Sequence, residues 1–153
     1  MVTAERRKAL ARALYERVFD AGDLGAADEI LAPDCVSHGP GTPPLVGTEQ
    51  IKRQAMVLRG AIPDLRSILE DQVAEGDRVV SRWIGTGTNT GEFRLPSGAL
   101  PPTGRQISFG EIRIDRFEGE TIVESWFIPD RFTLWQQLGL IPPPPGAPPA
   151  ANN

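Results

Sequence analysis

The stretch QISFGEIRIDRFEGETIVESWF, residues 106–127, decides the fold class. It is rich in β-branched and aromatic residues, which favour strands, and its apolar side chains fall on both alternating faces. Gly119-Glu120 divides the stretch and is typical of a tight turn. The pattern therefore predicts an antiparallel hairpin of two strands, Gln106 to Glu118 and Thr121 to Phe127.

The chain before this hairpin predicts a second one. Leu65 to Glu75 and Arg78 to about Asn89 have the composition of strands, and the turn residues Glu75-Gly76-Asp77 lie between them. Gly91 to Gly104 is rich in Gly and Pro and is predicted to be a loop. Cys35 to His38 is predicted to be a short extended segment.

Helices are predicted mainly in the N-terminal part of the chain. Thr3 is the expected N-cap of a first helix that ends at Gly22-Asp23; its apolar stripe consists of Leu10, Leu14, Tyr15, Val18 and Phe19. A short helix from about Ala26 to Leu31 follows, and Thr48 begins a third. A last helix is expected from Pro129-Asp130 through Leu138. Helices followed by turn-linked strands indicate an α+β fold, with helices on one face of a curved antiparallel sheet.

Length and composition limit the class of protein. The 153 residues, 40% hydrophobic and 24% charged, fit one globular domain, which we expect over residues 1–141. Residues 142–153 are Pro-rich and apolar-poor, so a disordered tail is expected there. No apolar run approaches the length that spans a membrane, and no secretory signal is visible. A cytoplasmic protein without membrane association is the expectation.

Charge and metal-ligating residues exclude further classes. The formal net charge is -4 and no basic stripe is present, so nucleic acid is not expected as a partner. A single Cys, Cys35, cannot form an internal disulfide. With only one His, His38, a closed His/Cys zinc site is not expected, and we predict no metal.

Several stretches, in this order, resemble the SnoaL-like polyketide cyclases of the nuclear-transport-factor-2-like superfamily. The resemblance covers about Ala9 to Pro142 and depends on the order and spacing of the motifs. They are Gly22-Asp23-Leu24 with Asp28-Glu29-Ile30, Ala32-Pro33-Asp34 with His38, Pro63-Asp64-Leu65, Glu75-Gly76-Asp77-Arg78-Val79-Val80, Gly85-Thr86-Gly87-Thr88, Pro101-Pro102-Thr103-Gly104-Arg105, Ile122-Val123-Glu124-Ser125-Trp126, and Pro129-Asp130 with Gln136-Gln137-Leu138-Gly139.

The resemblance implies a cone-shaped α+β barrel, a homo-oligomer (dimer or tetramer), and a pocket inside the cone. It implies an enzyme of secondary metabolism, such as antibiotic biosynthesis, that closes a ring in a small hydrophobic or polyketide-type substrate by an intramolecular aldol reaction without metal or cofactor. The family's general acid/base is an aspartate just after the last strand. That aspartate corresponds to Asp130.

The sequence departs from the family pattern around the expected pocket. Where the characterised aromatic cyclases carry a Gln and a His facing the pocket, this chain has Glu111 and Arg113. An Asn of the family corresponds to Ser37. The resemblance therefore predicts that the acid/base is kept while the residues that hold the substrate have changed.

Asp130 has two interpretations. Trp126, Phe127, Phe132 and Trp135 are close to it in sequence, and burial among them would raise the pKa of its carboxyl. It also begins the last helix, where the helix dipole favours the anion and an Asp commonly serves as a structural N-cap. We expect desolvation to dominate if the side chain lies inside the cone.

The other candidate site residues also allow a structural reading. Strand alternation places Glu111 and Arg113 on one face with Phe109, so they line either the pocket or a solvated sheet edge. If they line the pocket, Arg113 would hold an enolate or carboxylate oxygen and Glu111 would be a second base. His38 would either donate a hydrogen bond to a substrate carbonyl or be a loop histidine without a role in the site. The substrate would stack on Trp83 and Trp126, unless these two tryptophans are ordinary core residues.

Two other functions stay open at this stage. Related isomerisation, epoxide opening or another cyclisation fits the same residues. A small-molecule binding protein without catalysis, or an interaction domain, also fits this superfamily, which carries many activities on one scaffold. A buried Asp130 in an apolar cavity would favour catalysis.

Overall fold

The computed structural model describes residues 1–142 and 144–146. Its helices are α1 (Ala4–Ala13), a π-helix (Leu14–Asp20), α2 (Leu24–Ile30), α3 (Thr48–Ala61) and α4 (Arg131–Gln137). Its strands are β1 (Leu31–His38), β2 (Leu45–Val46), β3 (Arg66–Glu75), β4 (Arg78–Thr88), β5 (Phe93–Leu95), β6 (Gly98–Leu100), β7 (Gln106–Glu118) and β8 (Thr121–Pro129). No helix in these residues is long and apolar enough to cross a membrane.

Six strands form one sheet in the order β2-β1-β8-β7-β4-β3. All neighbours are antiparallel except β1 and β8. Both predicted hairpins are present, and their turns use Gly76 and Gly119 at positive φ (57° and 59°), a conformation that glycine adopts without strain. The predicted α+β fold, with N-terminal helices packed on a curved and mostly antiparallel sheet, is confirmed.

The edge of the sheet and the long loop differ from the predictions. Strand β1 already begins at Leu31, and its pairing with β8 is interrupted before Val36, a stretch that includes Pro33, which has no N–H to donate. Within the predicted loop, β5 and β6 form a separate hairpin. Phe93 is buried there, and this burial favours an ordered hairpin over a loose loop.

The first predicted helix changes type at Leu14. Its continuation is a π-helix, a rare form that is often found at functional sites. Leu14 and Val18 are fully buried in the core, while Tyr15 and Phe19 line the pocket described below. The predicted apolar stripe is thus divided between the core and the pocket.

The predicted tail lies largely outside the described residues. Pro142 and residues 144–146 are exposed and belong to no helix or strand. The expected disorder of residues 142–153 therefore stays a prediction.

Candidate active site

A pocket of about 410 Å³ lies between the sheet and the surrounding helices and hairpin. Most of its wall is apolar, with residues contributed by the π-helix, α3, β4, the β5–β6 hairpin, β7, β8 and α4. Its aromatic residues are Tyr15, Phe19, Trp83, Phe93, Phe109, Phe127 and Trp135. A pocket of this size and character is suited to a small, partly planar organic molecule.

Strand β7 contributes two charged side chains to the pocket, Glu111 and Arg113. Phe109, Glu111 and Arg113 alternate with outward-facing residues and all line the cavity. Ile112, between the last two, points the other way and is 49% exposed. The predicted common face of these three residues is therefore the pocket face and not a solvated edge.

Glu111 is a partly buried carboxyl group that lines the pocket. Burial raises its pKa from 4.5 to about 7; the guanidinium groups of Arg113 and Arg131 oppose this shift, and the nearby Asp115 adds to it. The hydroxyl of Tyr15 donates a hydrogen bond to Oε1 of Glu111. A carboxyl that titrates near neutral pH can both take up and return a proton, which suits general acid/base catalysis.

Arg113 is almost completely buried and committed to protein partners. Its Nε donates to Oδ1 of Asp115 (2.7 Å) and its Nη2 to Oγ of Ser125 (2.9 Å), and the Ser125 hydroxyl donates to the same Asp115 oxygen (2.6 Å). Its guanidinium also lies 5.8 Å from the ring centre of Tyr15. Arg113 is thus an internal ion-pair residue that helps to fix Tyr15, and its charge is balanced by Asp115.

Tyr15 is a site residue that the sequence analysis did not identify. Its ring stacks on Trp83 with 4.3 Å between centroids, and on Phe19 with 5.4 Å. Stacking from both neighbours restrains the ring while its hydroxyl meets Glu111. Tyr15 and Glu111 are far apart in sequence, so only the folded chain brings them together.

The expectation of a buried Asp130 with a raised pKa is wrong. The side chain is exposed and does not line the pocket, although both of its neighbours, Pro129 and Arg131, do. Its Oδ1 accepts the Thr133 N–H (3.0 Å) and its Oδ2 accepts the Thr133 hydroxyl (2.7 Å). These bonds make it the N-cap of α4 and lower the pKa of its carboxyl.

Three other predicted substrate contacts also lie outside the pocket. His38 and Trp126 are on the outer face of the sheet, where their rings stack (5.5 Å between centroids) and His38 Nε2 lies 2.9 Å from Oε1 of Glu124. Their parity explains this placement, because the adjacent Phe127 points into the pocket. Ser37 is buried, but it is not part of the pocket wall. Trp83 and Phe109 do line the pocket, as predicted.

Asn89 fastens the hairpin that forms one wall of the pocket. Its Nδ2 donates to the carbonyl oxygens of Ala61 (3.1 Å) and Gly91 (3.0 Å). Its Oδ1 accepts the backbone N–H (3.0 Å) and the hydroxyl (2.8 Å) of Thr103. The Asn89 side chain is 2% exposed, and its bond to Ala61 is fully buried. The side chain joins both ends of the hairpin segment to the end of α3.

Asn89→Ala is expected to lower the free energy of unfolding by about 2 kcal/mol, because it leaves buried donors and acceptors without partners. Thr103→Val should cost less, because it removes one hydroxyl, which donates to Asn89 and accepts the Arg105 N–H (3.3 Å), and leaves the Asn89 amide in place. Urea unfolding of the three proteins measures both effects. A change below about 0.5 kcal/mol for Asn89→Ala, within the range of an ordinary surface substitution, would contradict the role given to this residue.

The comparisons with known proteins agree with this geometry. The family model of the SnoaL-like polyketide cyclases matches residues 9–138. The chain belongs to this family. The resemblance seen in the sequence motifs is thereby confirmed, and it extends over nearly the whole described domain.

Three solved structures show how this SnoaL-like protein relates to others. IdmH, a proposed polyketide cyclase from Streptomyces antibioticus, is 31% identical with a TM-score of 0.74, and the match covers 87% of this chain and 98% of IdmH. AclR, a proposed hydroxylase from Streptomyces galilaeus, is 26% identical with a TM-score of 0.80, and the match covers 94% of this chain and 87% of AclR. A proposed SnoaL-like polyketide cyclase from a Jannaschia species is 20% identical with a TM-score of 0.80, and the match covers 92% of this chain and 95% of the other. This likeness shows that the two proteins share a fold. No curated protein gives a significant match.

Proposed function

We propose that this protein closes a ring in a polyketide-type substrate by an intramolecular aldol reaction that needs no cofactor, with Glu111 as the general acid/base. The observation that carries the proposal is a carboxyl group with a pKa of about 7 inside an apolar pocket. Membership of the SnoaL-like family supports the reaction class. A role in secondary metabolism, such as antibiotic biosynthesis, is part of this proposal.

A single residue, Glu111, can both remove the substrate proton and return it at the end of the reaction. The Glu111 carboxylate takes a proton from a substrate carbon that a neighbouring carbonyl group acidifies, and an enolate forms. The enolate carbon attacks a second carbonyl of the same molecule and makes the new carbon–carbon bond. The resulting alkoxide takes the proton back from the Glu111 carboxylic acid. The pocket wall contributes by folding the substrate so that its reacting ends meet.

Tyr15 and Arg113 act on this reaction through Glu111. The Tyr15 hydroxyl fixes one carboxyl oxygen, so the other is available to the substrate. Arg113 lies beside the Tyr15 ring and is itself fixed by Asp115 and Ser125. Both are positioning residues in this scheme.

A model compound tests the reaction class. A phenylacetate methyl ester that carries an acetoacetyl group on the adjacent ring position can close a six-membered ring by attack of its ester-bearing carbon on the methyl ketone. The protein should accelerate the closure above the buffer rate, as measured by chromatography with identification of the cyclic product by mass spectrometry. Binding without acceleration would favour a non-catalytic small-molecule binding protein.

A second reading keeps Asp130 as the acid/base, as the family resemblance implies. Asp130 directly follows Pro129, which lines the pocket. Against this reading, its two oxygens are engaged by Thr133 and the pKa of its carboxyl is lowered. Comparison of Asp130 and Glu111 variants, described in the Discussion, separates the two readings. The proposed hydroxylase AclR indicates that other reactions on this scaffold are also alternatives.

We also propose that the protein is a homodimer that pairs through the outer face of its sheet. Ile68, Ile112 and Ile128 are 45%, 49% and 66% exposed on this face. In the register of the sheet, Ile112 lies opposite Ile128 on β8 and Arg82 on β4. Large apolar side chains that are exposed on one sheet face are often covered by a partner, and a second copy of the same sheet is the simplest cover.

Light scattering is expected to give twice the chain mass of 16.6 kDa. Ile112→Glu places a charge in the middle of the proposed interface, so it should give a monomer. Met56→Glu is the matched control, because Met56 is a similarly exposed apolar residue on α3. A monomeric wild-type protein at micromolar concentration, or a dimer that Ile112→Glu leaves intact, would contradict the proposed interface.

A further inference from the structure

Of the described residues, three with charged side chains line the pocket: Glu111, Arg113 and Arg131. Arg113 is balanced by its ion pair with Asp115. Glu111 is largely neutral below its pKa of about 7. Arg131 therefore supplies the uncompensated charge of the pocket.

Arg131 is the first residue of α4 and is half-buried at the pocket wall. Its Nη1 donates to the carbonyl oxygen of Pro40 (2.9 Å), which holds the side chain in place. Within residues 1–142 and 144–146, no carboxylate forms an ion pair with it. The adjacent Asp130 directs both of its oxygens to Thr133 instead.

A guanidinium in this position is suited to an anionic ligand. It presents several N–H donors in a fixed plane and forms strong, often bidentate bonds to carboxylates. The single bond to Pro40 leaves donors for a ligand. Because Arg131 lines the pocket, its positive charge opposes the rise in the pKa of Glu111 that burial causes.

We propose that Arg131 binds an anionic group of the substrate, a carboxylate or an ionised phenol, while the aromatic body of the substrate lies against Trp83 and Phe109. This inference rests on the proposed function in one respect: it takes the pocket as the substrate site. It adds the substrate class, an aromatic compound with an acidic substituent. The formal net charge of the protein is -4, so a preference for anions has to come from a local cation.

A matched pair of probes tests this inference without any turnover. Naphthalene carboxylate and naphthalene carboxamide have the same aromatic body and differ in charge. Binding is measured by calorimetry at pH 6, where Glu111 is mostly neutral and the probe carboxylate is ionised, since carboxyl groups titrate near about 4. The wild-type protein should bind the carboxylate more tightly than the amide, by roughly tenfold.

Arg131→Gln should remove this preference. Carboxylate affinity should fall roughly tenfold, while carboxamide affinity stays the same and shows that the pocket is intact. Arg131→Lys keeps the charge and should retain part of the preference. Arg6→Gln is the control for a general charge effect, because Arg6 is an exposed residue that pairs with Glu120 away from the pocket; it should leave both affinities unchanged.

The outcomes separate this inference from the proposed function. Equal wild-type affinity for the two probes, or an Arg131→Gln protein that keeps the preference, would overturn the role of Arg131 and leave Glu111 catalysis intact. If neither probe binds the wild-type protein, the inference about Arg131 fails, and the ring-closure assay decides the proposed function separately. If the preference is present but ring closure is not, only the proposed reaction fails.

Discussion

Glu111→Gln is expected to reduce ring closure of the model ester by roughly 10²–10⁴-fold, the usual contribution of a general acid/base. Gln has nearly the same shape and still accepts the hydrogen bond from Tyr15, so the pocket should keep its form. What is lost is the ability to take the substrate proton and return it. Steady-state kinetics of both proteins on the same ester measure the effect. In the wild-type protein, kcat/KM should rise as pH increases through about 7, where the carboxylate forms.

Asp130→Asn is the matched control for this loss. It makes the same chemical change at the other candidate carboxylate, and Asn caps helices about as well as Asp, so α4 should keep its stability. We expect full turnover from this variant. The reverse result, a large loss in Asp130→Asn and full activity in Glu111→Gln, would reject Glu111 and return the acid/base role to Asp130. Full activity in both variants would favour a pocket that acts only by folding the substrate.

The sheet and the β7 part of the site could be predicted because their signals are local. The strand composition around Gly119 and Gly76 lies in neighbouring residues, and strand alternation alone places Glu111 with Arg113. Parity also shows that Trp126 and Phe127 must face opposite sides of the sheet. It does not show which side faces the pocket, and the prediction that Trp126 contacts the substrate is therefore wrong.

The remainder of the site depends on contacts between distant segments. Nothing near Tyr15 in sequence shows that it meets Glu111, because that contact needs both the π-helix and the curved sheet. Asp130 is a different case. Asp is a preferred N-cap residue, and its bonds to the N–H and hydroxyl of Thr133 keep the side chain outside the pocket. The aromatic residues near it in sequence do not enclose it in space.

The raised pKa of Glu111 also predicts a pH-dependent cost to stability. In the unfolded chain this carboxyl titrates near 4.5, and in the folded protein near 7. Between these values the folded state holds a proton that the unfolded state has released, so stability falls as pH rises through this window. Below it both states are protonated and Glu111 contributes nothing. Above it the penalty is constant, at about 3 kcal/mol.

Glu111→Gln should remove this penalty. At pH 8 the variant should be more stable than the wild-type protein by about 3 kcal/mol, and at pH 4.5 the two should differ far less. Urea unfolding at both pH values, at one protein concentration so that dimerisation does not change the comparison, gives the difference. A stability gap that stays constant with pH would mean that Glu111 titrates normally in the folded protein. A general acid/base that acts near neutral pH needs the raised pKa, so a constant gap would also count against Glu111 as the catalytic group. A gap that widens as pH rises would show that burial of the Glu111 carboxyl lowers the stability of the fold.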